Sequence, residues 1–147
     1  MKDTFNRFVA VQVVAPVLVL DATVPAAVEV DLADFNSALI LFNCNVKGAG
    51  DTGTITLKLE HADDSATPGV AGSYSDVAAD DVLGVTPTSG VIFTLAAGAV
   101  AKAIYKCGYV RGKRHLRFTL AETGANATGT ILSVTVLKGH GLNVPAV

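Results

Sequence analysis

The 147-residue chain holds two cysteines, no tryptophan and a net charge of −2, which excludes a disulfide-dense scaffold and gives no basic surface for a polyanion. Half of its residues are hydrophobic, only 16% are charged and 6% aromatic, and Val and Ala dominate the apolar set. That length fits one domain with one core, Val favours pleated structure, and a mean hydropathy of +0.48 leaves apolar surface for contact with other subunits.

The chain begins with "MKDTFNRFVAVQVVAPVLVL". A basic start and an apolar run resemble a signal peptide, but Asp3 lies in the basic part and Gln12 and Pro16 interrupt the run. The segment is too short and broken to span a membrane. Residues 1–20 are therefore expected as an extended arm or an edge strand broken at Pro16. Phe8, Val11 and Val13 are its candidate docking residues.

From residue 21 to 147 a period of two dominates. "AVEVDLADF" sets Val28, Val30 and Leu32 against Glu29 and Asp31; "SALILFNCNV" is a continuous apolar run that suits a central strand. "TITLKLEH" places Ile55, Leu57 and Leu59 on one face. "VIFTLA", "AIYKCGYV", "HLRFTLAE" and "TILSVTVL" supply four more strands, with Gly- and Pro-containing turns between them. The pattern predicts an all-β, antiparallel β-sandwich or jelly roll in a single domain. "SDVAADDVLG" has room for one helical turn.

"KGAGDTGT" contains G-x-G-x-x-G at Gly48, Gly50 and Gly53. A dinucleotide site needs a helix after the glycines, because the helix N-terminus supplies the amides that hold phosphate. The segment that follows has strand periodicity, so the glycines read as a hairpin loop and no cofactor is expected. Cys44 and Cys107 sit in separate strand-like runs and are expected as buried free thiols, with a disulfide open if those strands are neighbours.

The long segment Glu60 to Gly84 carries Asp63, Asp64, Asp76, Asp80 and Asp81 and no Lys or Arg. Clustered oxygens suit calcium, but the spacing matches no calcium loop, and a solvated loop explains the same residues. "YVRGKRHLRFTL" holds the main basic cluster, Arg111, Lys113, Arg114 and Arg117. If its strand starts at Arg114, that side chain shares a face with Leu116, Phe118 and Leu120 and must pair with a carboxylate or carbonyls; His115 and Arg117 then face outward. His61, His115 and His140 show no ligand spacing, and no nucleophile motif is present, so neither a metal site nor a catalytic residue is predicted. Asn126-Ala-Thr128 is a glycosylation sequon only in a secreted eukaryotic setting.

Three phrases in order, "VEVDLADFNSALILFNCNVKG", "ITLKLEHADD" and "YKCGYVRGKRHLRFTLAETG", resemble a family of small β-sandwich virion proteins of tailed bacteriophages. The likeness runs from Val28 to Leu137, with His115 where the family more often has an aromatic. The resemblance implies a non-enzymatic structural protein of the particle, made in the host bacterial cytoplasm. It is expected as a capsid decoration, or cement, protein on the outside of the major capsid protein lattice. It would associate with itself as a dimer or trimer and touch neither nucleic acid nor membrane. On that reading Arg111, Lys113 and Arg117 would meet acidic capsid residues, and Asp63, Asp64, Asp80 and Asp81 basic ones. A connector or tail component is the alternative within the particle; a calcium- or carbohydrate-binding sandwich module is the alternative outside it.

Overall fold

Alternating side chains demand one buried and one outer face per strand, and a computed structural model gives both for residues 7–21, 24–48, 50–96 and 103–141. The strands are β1 (Val9–Val19), β2 (Val28–Asp31), β3 (Phe35–Cys44), β4 (Thr54–Ala62), β5 (Ser75–Asp76), β6 (Val82–Leu83), β7 (Val91–Leu95), β8 (Ala103–Tyr109), β9 (His115–Thr123) and β10 (Thr130–Gly141). A 3-10 turn at Ala79–Asp81 is the short helical element of "SDVAADDVLG".

Two antiparallel sheets pack face to face. The first has the order β1-β10-β3-β8-β6; the second has β2-β9-β4-β5, with β7 also on β4. The pairings β1 with β10, β2 with β9, β3 with β8 and β4 with β7 are nested, like a long hairpin wrapped around the core. Ile40 and Phe42 of the first sheet meet Leu57, Leu59 and Phe118 of the second, all 2% exposed or less. Phe42 stacks on Phe93 across the sandwich, ring centroids 5.6 Å apart.

The N-terminal segment is an edge strand from Val9 to Val19, paired with β10. Register shifts fall between Gln12 and Val14 and between Val14 and Val17, and the second contains Pro16, which cannot donate to a ladder and is tolerated at such an edge. Residues 1–6 of the expected arm lie outside the described residues.

The glycine segment is not a hairpin loop. β3 and β4 belong to different sheets, so residues 45–53 cross from one to the other. The crossing is pinned from within. Buried Lys47 donates to the carbonyl oxygens of Gly53 and Ala96, the latter at 3.1 Å, and buried Asp51 accepts the N–H groups of Thr128 and Gly129 at 3.0 Å each. Gly53 is needed for close approach, since a Cβ there would stand 2.1 Å from Asn126 Nδ2. That places the sequon's Asn126 in the interior, its amide donating to Glu122 at 2.5 Å.

Cys44 and Cys107 do lie on neighbouring strands, but Cys44 pairs with Ala103 and Cys107 with Ile40. Four residues of offset, about 13 Å at strand rise, is beyond disulfide reach. Both are buried free thiols, and burial pushes that of Cys107 up to about 12.

Candidate interaction surface

The outer faces of the two sheets differ in chemistry. On the second sheet Glu29, Arg117, Glu60 and Asp76 form one row across β2, β9, β4 and β5. Arg117 Nε donates to Glu60 at 2.7 Å and its guanidinium lies 4.1 Å from the centre of the Tyr74 ring, while Lys58 reaches Asp76 at 2.6 Å and Glu60 at 3.2 Å. The Arg117 hydrogen bond holds the Glu60 carboxyl below its usual range. Lys58 and Thr119, Thr56 and Ala121, and Thr54 and Thr123 follow as the next outward pairs of β4 and β9. This is an ordinary solvated sheet face, on which Arg117 and Lys58 pair with Glu60 and Asp76.

The outer face of the first sheet has a row of five apolar residues. Ala10, Leu137, Leu39, Gly108 and Leu83 stand side by side across β1, β10, β3, β8 and β6. Gln12, Thr135, Leu41 and Lys106 form the next row, and beyond it stand Ser133, Asn43 and Ile104, the last 70% exposed. Lys106 is the one charged residue on this face among the described residues. Beside it Gly108 leaves a hollow of about 330 Å³, walled by Leu39, Leu83 and Gly84. Leu83, at the sheet edge, is 60% exposed. This apolar stripe, bordered by those polar rows, is the candidate contact surface of the sheet.

The charged residues singled out in the sequence gather at one end of the sandwich, where they pair with one another. Arg114 grips Asp31 with two hydrogen bonds of 2.8 Å and reaches Asp64 at 3.2 Å. The guanidinium holds the Asp31 carboxyl down at about 2. Lys113 faces Asp63 at 3.6 Å, and Arg111 faces Asp81 at 3.3 Å. Asp80 is exposed in the 3-10 turn. Among the described residues no three His, Cys, Asp or Glu side chains converge as a metal site.

Several expected positions are corrected. Asp81 is buried: its carboxylate accepts the Ala78 N–H at 2.7 Å and stands 3.8 Å from His61, so it braces the turn from inside. His115 is buried as well, because residues 63–72 fold over the start of β9 and Asp64 accepts from its Nε2 at 2.7 Å. Arg114 precedes that strand and lies across the acids at its end, instead of on the Leu116 face. Val13 is 5% exposed and faces the core, and half-buried Val11 packs against the same core. Phe8 stays 41% exposed, lying over Gly139. Val13 and Asp81 are thereby removed from any docking surface of the folded chain.

The residues that sequence reasoning missed are Leu39, Leu137, Gly108 and Leu83. Their signal was the unbroken apolar run around β3, which reports that both faces of a strand are apolar. It does not report whether the second cover belongs to the same chain.

No family model matches the chain, and no curated protein matches it in sequence.

Proposed function

We propose that this protein is a structural component of a bacteriophage particle, a capsid decoration protein that works by docking and carries out no chemistry. The observation that carries the reading is the apolar row on the outer face of the first sheet, set against the charged outer face of the second. One sheet face is built for water and the other for a protein subunit. The two packed antiparallel sheets suit such a role, and the virion-protein resemblance from Val28 to Leu137 supplies the setting. Apolar burial drives such association at about 25 cal/mol per Å2 before entropic costs, and repetition over a lattice multiplies weak contacts. The charged end serves mainly to hold the loops of the sandwich together, since Arg111, Lys113 and Arg114 each pair with an acid of the same molecule. No helix among the described residues is long and apolar enough to cross a membrane.

Quantitative mass spectrometry of purified particles tests this reading. A copy number comparable to that of the major capsid protein is the expected result. A dozen copies or fewer, on the order of one ring, would move the protein to the connector or tail, and absence from the particle would end the virion reading.

A further inference from the structure

We infer that Lys47 and Asn126 join in an isopeptide bond, which the chain forms on itself beside Glu122. The inference is independent of the docking surface and goes beyond it. The chain reacts once, with itself, and turns over no substrate.

The argument begins with a buried amine. Among the described residues Lys47 is the only buried lysine or arginine, 1% exposed. Its nitrogen donates to two carbonyl oxygens, those of Gly53 and Ala96, and no carboxylate among the described residues lies in ion-pair range of it. As an ammonium, Lys47 is a buried charge without a counter-ion, which is costly; as an amide nitrogen it carries no charge.

Asn126 approaches the same glycine. The N–H groups of Thr52 and Gly53 donate to the Ala125 carbonyl oxygen at 2.9 and 2.8 Å, which draws the loop between β9 and β10 onto the crossing. The amide carbon of Asn126 lies 2.7 Å from the place a Cβ of Gly53 would take, so the absence of a side chain there is what admits the amide. Asn126 is fully buried, and its Oδ1 has no hydrogen-bond partner. Its Nδ2 donates to Glu122 at 2.5 Å. A nucleophilic amine, an amide with a bare carbonyl oxygen, and a carboxylate on the nitrogen that would leave thus converge on Gly53.

Those are the groups an amide exchange needs. The Nζ lone pair of the free amine attacks Cγ, and Oδ1 takes the negative charge. With both nitrogens on Cγ, the Glu122 carboxylate that holds Nδ2 also reaches Nζ. It takes a proton there and hands it to Nδ2. The Cγ–Nδ2 bond breaks with its electron pair, and ammonia leaves. Nζ keeps one hydrogen as an amide N–H, and nothing is oxidised or reduced.

Intact-mass spectrometry of the denatured full chain decides the matter. The wild type is expected one ammonia, about 17 Da, below its sequence mass, and its digest is expected to hold one branched peptide joining Lys47 to Asn126. Lys47→Arg and Asn126→Ala are expected at full mass. Asn126→Asp should lose water instead, about 18 Da, through the same bond. Glu122→Gln keeps the size of the side chain and removes the proton relay, so it should fold, by circular dichroism, and stay at full mass. A wild type that remains at its full sequence mass after prolonged incubation at pH 8 overturns the inference, whatever the variants do. So does a loss of ammonia that survives in Lys47→Arg, because a succinimide at another asparagine would produce it.

Discussion

Acidification should loosen this fold well above the range where carboxylates titrate, and His61 is the reason. Its ring is 5% exposed. The Lys113 N–H donates to the Tyr109 hydroxyl oxygen at 3.1 Å, and the same hydroxyl is hydrogen-bonded to His61 Nδ1, also at 3.1 Å. With the hydroxyl as donor to Nδ1, the ring proton is on Nε2, facing Asp81 3.8 Å away. A second proton would have to go on Nδ1, where Tyr109 already donates. Burial, followed by the charge of Lys113, lowers the His61 pKa from 6.5; Asp81 and Asp63 oppose the shift and Arg111 adds to it. A folded-state pKa below the unfolded one means that the unfolded chain takes up a proton first as pH falls. Stability is thus retained above about 6.5 and declines below it, at no more than about 1.4 kcal/mol per pH unit for one proton. The Asp31 contribution is lost only below its unfolded value of 3.8, so the two windows are separate. Urea unfolding of wild type and His61→Gln between pH 8 and pH 5 reads the difference. The variant should start about 1–3 kcal/mol less stable, through its disturbed buried hydrogen bond, and should lose the extra slope below pH 6.5. Equal slopes, or a wild type that gains stability on acidification, would refute the reasoning.

Phe42→Ala should cost about 3–5 kcal/mol in urea unfolding, because it empties a fully buried site and removes the stack on Phe93; a loss under about 1 kcal/mol would mean that the sheets do not meet there. Gly53→Ala should lower the melting temperature by more than an ordinary glycine substitution, since its Cβ would stand 2.1 Å from Asn126 Nδ2 and 2.6 Å from the Thr123 carbonyl oxygen. An unchanged melting temperature would contradict the close approach at the crossing loop.

The strands were legible because alternation is a local signal: Ile55, Leu57 and Leu59 point inward, and Thr54, Thr56, Lys58 and Glu60 outward. Pairing partners were not legible, because they are set by distant segments. The glycine loop looked like a hairpin until β4 was seen to pair with β9 and not with β3. Asp81 and His115 looked exposed for a similar reason. Polar residues in loops usually face water, and only the fold shows that residues 63–72 cover one and that Arg111 and Ala78 engage the other. The apolar row was half legible. Leu39 and Leu41 were visible as part of a run with no polar face, but a strand order of β1-β10-β3-β8-β6 is needed to set Leu39 beside Leu137 and Gly108.

The central proposal is that the apolar row on the outer face of the first sheet joins this protein to the particle. Its most direct test is to produce particles with Leu39→Glu or Thr94→Glu and measure the copies of this chain retained per particle. The account predicts that Leu39→Glu, a folded chain with a charge in the apolar row, is largely lost from particles, while Thr94→Glu is retained at the wild-type level. Full retention of Leu39→Glu would contradict it.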